Sequence, residues 1–145
     1  MKKINIKTLT PITLKKEFKD KYQIKNFKET IFIITLDDNY YYYLTSTNEI
    51  TKKINDMQIV VSKEQAIDSE GNIKNFDYDY TLDFSKIFRI KKEELIKFIF
   101  FESPLRINWD KQLDIVINVD KYIGNSKKIK IVLINENVNS LLVLS

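Results

Sequence analysis

The hydrophobic pattern is clearest in the middle of the chain. Thr30 to Leu36 is a β-branched run that stops at Asp37-Asp38-Asn39, and Tyr40 to Thr45 resumes it, which predicts a β-hairpin with a polar turn. Met57 to Ser62 reads as a further strand. Tyr78, Tyr80, Leu82 and Phe84 alternate with Asp79, Thr81, Asp83 and Ser85, the period of two that marks a half-buried strand, here running on toward Ile87 to Ile90. Upstream, Ile4 to Thr8 suggests a short strand. Leu14, Phe18 and Tyr22 at i, i+4 and i+8 suggest an amphipathic helix over Thr13 to Tyr22 with Thr13 as N-cap.

Lys91 to Glu102 carries Leu95, Ile96, Phe98, Ile99, Phe100 and Phe101. That predicts a helix apolar around most of its girth, packed centrally and ended by Ser103-Pro104. Ala66 to Asn75 reads as a polar loop around Gly71. Trp109 to Ile123 fits a helix, or a strand at Leu113 to Val119. Lys128 to Ile134 and Ser140 to Leu144 form two arms of a terminal hairpin. Together these elements predict an α+β fold: a strongly bent antiparallel sheet, open to closure as an SH3-like barrel, with one central apolar helix and a C-terminal hairpin. The expected core is Ile31, Ile33, Leu44, Ile59, Val61, Leu82, Ile87, Leu95, Phe98, Ile99, Trp109 and Leu133.

The 145 residues, 43% hydrophobic and 30% charged, suit a single domain over 1–145 that buries its apolar surface without staples. No apolar run is long enough for a spanning helix or a signal-peptide core, so a cytoplasmic protein without a membrane partner is expected. The net charge of +4 arises from 24 basic against 20 acidic residues, and Arg89 and Arg106 are the arginines. An A/T-rich codon bias toward Lys, Ile, Asn, Phe and Tyr accounts for much of that excess, so charge alone points weakly to nucleic acid.

The chain has no histidine and no cysteine. Ser-His-Asp and Cys-His catalysis, histidine- or cysteine-ligated metals and disulfides are thereby excluded, and no phosphate-cradling glycine loop is present. Asp37, Asp38, Asp77, Asp79 and Asp83 fit a solvated turn and a polar strand face better than a cation site. No metal and no cofactor is expected. Tyr40 to Tyr43 place two rings on each strand face, so one pair packs inward while the other is available for stacking on bases, Tyr41 and Tyr43 being taken as the stacking pair. Lys127, Lys128 and Lys130 beside Gly124-Asn125-Ser126 fit a phosphate contact or a solvated hairpin end.

The segment IFIITLDDNYYYYLTSTNE, a strand followed by a hairpin arm ending in Leu44-Thr45-Ser46, resembles the PemK/MazF-type bacterial toxins and their ToxN/AbiQ-like relatives. DYTLDFSKIFRIKKEEL, from Asp79 to Leu95, is similar to the strand, loop and helix further along that family. The likeness spans Lys28 to Leu95. It implies an SH3-like barrel and a metal-independent endoribonuclease of a toxin-antitoxin or phage-defence system, cutting single-stranded RNA and masked by an antitoxin. On that likeness Thr45 and Ser46 orient the phosphate, Lys52 or Lys53 supplies the cation, and Arg89 adds a second charge. The family's Arg-Pro pair is replaced here by Lys28-Glu29-Thr30, leaving Lys28 as a substrate-binding charge without the guanidinium fork. The alternative is a non-enzymatic phage or mobile-element protein that inhibits a host defence nuclease by binding it. The two readings separate on whether Lys28, Lys52, Lys53 and Arg89 converge near Thr45.

Overall fold

The computed structural model describes residues 6–25, 27–48, 57–123 and 130–134. They form an α+β fold whose main sheet is mostly antiparallel. The chain runs β1 (Pro11–Leu14), α1 (Lys16–Tyr22), β2 (Thr30–Leu36), β3 (Tyr40–Thr47), β4 (Gln58–Val61), β5 (Ala66–Ile67), β6 (Ile73–Lys74), β7 (Tyr80–Lys91), α2 (Lys92–Lys97), β8 (Ile99–Glu102), β9 (Arg106–Ile107), α3 (Trp109–Ile123) and β10 (Lys130–Ile134). Among the described residues no helix is long and apolar enough to cross a membrane.

The main sheet has the order β10-β7-β3-β2-β1-β8, and among the described residues its two end strands do not pair with one another. The twelve-residue β7 organises it. Along one edge it pairs with β3; along the other its first half takes β4, at residues 80–83, and its second half takes β10 in parallel, at residues 86–90. Between Tyr43↔Phe88 and Thr45↔Asp83 the register advances two residues on β3 and five on β7. The surplus residues around Phe84 to Ile87 interrupt the ladder there, the two-against-more pairing of a bulged strand. A small second sheet, β6-β5-β9, lies beside it. Its hairpin turn is held by Asp68 Oδ1, which accepts the backbone N–H groups of Glu70 and Asn72 at 2.9 Å each, and by Gly71 at φ +83°, a conformation that glycine alone adopts without strain.

Alternation along the strands covers the sheet on both faces. Ile31, Ile33, Tyr41, Tyr43 and Ile90 pack with Phe18 and Tyr22 of α1 and Leu95 of α2. Phe32, Leu44, Leu82, Phe84 and Ile87 pack on the other side with Ile115 and Val119 of α3. Of the expected core, Ile31, Ile33, Leu44, Ile59, Val61, Leu82, Ile87 and Leu95 are buried. Phe98 and Ile99 are half-buried, and the side chain of Leu133 lies outside the described residues. Trp109 is 63% exposed, because it opens α3 and turns toward solvent under the Arg106 guanidinium, 5.6 Å from its ring.

Several elements differ from the sequence pattern. The helix expected over Lys91 to Glu102 ends at Lys97, where Phe98 N–H closes on the Leu95 carbonyl. The aromatic run that follows becomes β8, paired with β1 through Thr13↔Phe101 and Leu14↔Ile99. A run of Phe and Ile is favourable in either state, and the free edge of β1 decides it. The first helix begins at Lys16, because Pro11 to Leu14 pairs with β2. Residues 6–8 form no strand, and residues 4 and 5 lie outside the described ones. Trp109–Ile123 is wholly helical, with Asn108 Oδ1 accepting the Lys111 N–H at 2.9 Å as its N-cap. Ala66 to Asn75 is a miniature hairpin. The first arm of the expected C-terminal hairpin is a parallel partner of β7, and the second arm lies outside the described residues, as do Lys127 and Lys128.

Candidate functional site

The end of β3 and the start of β2 meet at a polar cleft of about 240 Å³, walled by Phe27, Lys28, Glu29, Thr30, Ser46, Thr47 and Asn48. Its position follows from the hairpin. The register Ile31↔Thr45 brings the chain entering β2 beside the chain leaving β3, so Lys28 to Thr30 and Ser46 to Asn48 become neighbours. Leu14 N–H donates to the Glu29 carbonyl at 2.7 Å and fixes that entry against β1. Ser46 Oγ donates to the Thr30 carbonyl at 2.9 Å, which ties the two walls together, and leaves the Ser46 side chain 5% exposed. Lys28 and Glu29, consecutive along the chain, are both exposed and both line the cleft.

Of the residues singled out from sequence, Lys28 and Ser46 are brought together here. Thr45 is not a wall of the cleft: it lies opposite Ile31, on the face of β3 that carries Tyr43, one residue out of phase with Ser46. Lys52 and Lys53 lie outside the described residues. Arg89 pairs with Tyr42, four residues along β3 from Ser46 and therefore about 13 Å away at the usual strand rise. It does not join Lys28. Its guanidinium instead lies over the Tyr40 ring at 4.3 Å, and its buried Nε has no hydrogen-bond partner among the described residues.

The tyrosine strand alternates as the sequence requires, with Tyr41 and Tyr43 on the inward side. Tyr41 is 4% and Tyr43 2% exposed, and Tyr43 stacks on Phe88 with ring centroids 5.1 Å apart. The pairings Leu36↔Tyr41 and Ile33↔Tyr43 turn both rings toward α1 and α2, away from any base. Burial raises both phenols above their ordinary value, with the charge of Glu102 adding to the effect at Tyr41. Tyr40 and Tyr42 are the half-exposed pair. Tyr42 Oη donates to Asp37 Oδ2 at 2.8 Å; that bond, ahead of the backbone N–H groups of Asn39 and Tyr40, holds the Asp37 carboxyl below its usual range. Asp37 thus serves the hairpin turn.

A second cavity, of about 450 Å³, adjoins the first and shares Glu29, Thr30 and Asn48 with it. Its far side is formed by Asn75, Asp77 and Tyr78 ahead of β7 and by Phe101 of β8. Glu29, Asn48 and Phe101 gave no sequence signal as site residues. They come from segments far apart in the chain, and the pairing of β8 with β1 through Thr13↔Phe101 is what brings Phe101 here. Among the described residues no group of acidic side chains is arranged to hold a metal ion. Comparison with protein-family models, with curated proteins and with solved structures returned no match to this chain.

Proposed function

We propose that the chain is a metal-independent endoribonuclease that cuts single-stranded RNA in the Lys28–Ser46 cleft, as a toxin in a toxin-antitoxin or phage-defence system. The observation that carries this reading is the cleft itself, whose walls include Lys28, Glu29, Thr30 and Thr47 together with Ser46, one of the residues to which the resemblance gives a role at the phosphate. The register irregularity of β7 against β3, a device that lets strands bend, supports an SH3-like arrangement of these strands. In the reaction the ribose 2′-oxygen attacks the adjacent phosphorus and its proton passes to the Glu29 carboxylate. The Lys28 ammonium balances the charge that grows on the phosphorane oxygens. The 5′-oxygen leaves with a proton from solvent, giving a 2′,3′-cyclic phosphate and a 5′-hydroxyl. Ser46 holds the two walls at a fixed separation, and Thr47 and Asn48 face the phosphate.

The test is incubation of purified protein with a mixed single-stranded RNA pool in EDTA. Cleavage is expected, reduced about 10²–10³-fold in Lys28→Ala, the range for removing one electrostatic stabiliser, and nearly unchanged in Thr45→Ala. Intact RNA at every protein concentration, with the fold verified by circular dichroism, refutes the reading.

One observation favours the non-enzymatic alternative, a protein that inhibits a host defence nuclease by binding it. Trp109, Leu113, Val116 and Ile117 are 54–63% exposed and recur along one face of α3, an apolar surface of the type found at protein interfaces. Under that reading RNA stays intact, and Leu113→Lys abolishes inhibition of the target nuclease.

A further inference from the structure

We infer that the second cavity is a nucleobase subsite that selects guanine, seating the base beside a phosphate held in the Lys28–Ser46 cleft; this rests on the ribonuclease reading above. The two cavities share Glu29, Thr30 and Asn48, so a ligand in one touches the wall of the other, as a base and its own backbone must. The volume of about 450 Å³ lies within the roughly 300–1,000 Å³ typical of small-ligand sites.

The lining has two kinds of group. Tyr78 and Phe101 are large aromatics left 53% and 55% exposed at its rim, contributed by segments on either side. Exposed rings bordering a cavity are the usual stacking surface for an unpaired base. Asp77 and the amide of Asn75, on the side away from the Lys28–Ser46 cleft, supply the polar part. The Asp77 carboxylate is exposed and acts only as an acceptor when ionised. Among the four RNA bases, guanine alone presents two adjacent donors on its Watson–Crick edge, N1–H and N2–H, which match the two oxygens of one carboxylate. Adenine and cytosine place an acceptor beside their amino donor, and uracil flanks its single N–H with carbonyls. An acidic base pocket therefore rejects these three by leaving acceptor against acceptor. The neighbouring Lys28 offsets the repulsion that such a pocket exerts on the backbone.

The experiment uses 2′-O-methyl trinucleotides, UGU, UAU, UCU and UUU, in which the blocked hydroxyl allows binding to be read calorimetrically without cleavage. UGU is expected to bind at least tenfold more tightly than the others. Asp77→Asn should remove that preference. Tyr78→Ala and Phe101→Ala, at exposed positions that leave the fold intact, should each weaken UGU about 5- to 150-fold, the range for loss of one base–aromatic stack. Cleavage of unmodified RNA by the same variants is measured in parallel. Guanine-selective binding that depends on Asp77, in a protein that never cuts RNA, supports the subsite and overturns the ribonuclease reading. Cleavage with no preference for guanine, or with a preference untouched by Asp77→Asn and Tyr78→Ala, overturns the subsite and leaves the ribonuclease standing. Equal binding of all four trinucleotides, or none up to millimolar concentration, also overturns it.

Discussion

Glu94 is an ionisable side chain that the fold buries completely, and replacing it offers a stringent test of how α1 and α2 are joined. Its carboxylate is 0% exposed. Oε1 accepts hydrogen bonds from Lys21 Nζ and Tyr22 Oη at 2.6 Å each, and Oε2 accepts from Lys97 Nζ at 2.8 Å. The three bonds are unequal. The lysine side chains are 41% and 60% exposed, so water and salt screen them, and each contributes no more than about 1 kcal/mol. The Tyr22 bond is buried and made to a charged acceptor, which places it at about 1.5–3 kcal/mol. Glu94→Ala removes all three, for a total near 3–4 kcal/mol, within the range measured when one side of a buried ionic cluster is deleted. For a domain of this size that lowers Tm by roughly 6–16 °C.

Tyr22→Phe, which deletes the bond to Glu94 and leaves the two lysines in place, is expected to cost about 1–2 kcal/mol. Urea denaturation of the two single variants and the double variant closes a cycle. A coupling of about 1–2 kcal/mol between positions 22 and 94 is expected, nearly unchanged by 0.5 M salt. If Glu94→Ala costs less than 1 kcal/mol, or if the coupling vanishes in salt, the carboxylate is held by exposed charge pairing and the argument fails.

Ser46→Ala loses one neutral bond to the Thr30 carbonyl and is expected to lower stability by about 1 kcal/mol; a fall in RNA cleavage of more than tenfold, with the protein still folded at assay temperature, ties that bond to the alignment of the cleft. Gly71→Ala should cost about 1 kcal/mol by thermal melting, wholly from the backbone, because φ is +83° and no atom lies within 4 Å of a built Cβ. Desolvation pushes the Tyr80 phenol up to about 12, ahead of the charge of Asp77, and burial raises Tyr43 further still. Because the folded state disfavours the phenolate, stability is unaffected below pH 10 and falls as pH rises from 10 toward 12; ultraviolet titration should show both rings ionising only with unfolding, and normal titration of Tyr80 in the native protein contradicts its burial. Trp109, the chain's single tryptophan, should emit as a solvent-exposed indole and be quenched readily by acrylamide.

The β2–β3 hairpin, β4 and β7 were legible because each is a run of one periodicity bounded by residues that break it. Asp37 is the sharpest case: it accepts the Asn39 and Tyr40 N–H groups and so builds the turn that its position suggests. Where the apolar run has no period, as from Leu95 to Phe101, the outcome depended on a partner strand more than eighty residues earlier, and no local pattern carries that information. The parallel pairing of β10 with β7 has the same origin, since α3 makes the crossover and its length says nothing of where the chain lands. Asn108 and Asp110 were the unused signals for α3, a cap and a first-turn acid that settle helix against strand. At the candidate site, the hairpin register brings Lys28 and Ser46 to one cleft. Phase mattered more than proximity for Thr45, Tyr41 and Tyr43, which the pleat sends to the opposite face from the residues beside them. Arg89 was misplaced because the register of β7 against β3 is invisible in one sequence.

The two joined cavities draw their walls from Pro11 near one end of the chain, from the hairpin, and from Leu105 after β8. No continuous fragment shorter than that span can assemble the pair. The Lys28–Ser46 cleft is built within residues 27–48, whereas the second cavity has no Phe101 wall until β8 has emerged from the ribosome and closed on β1. The two halves of the site are therefore completed at different moments of synthesis, the cleft first and its neighbour later.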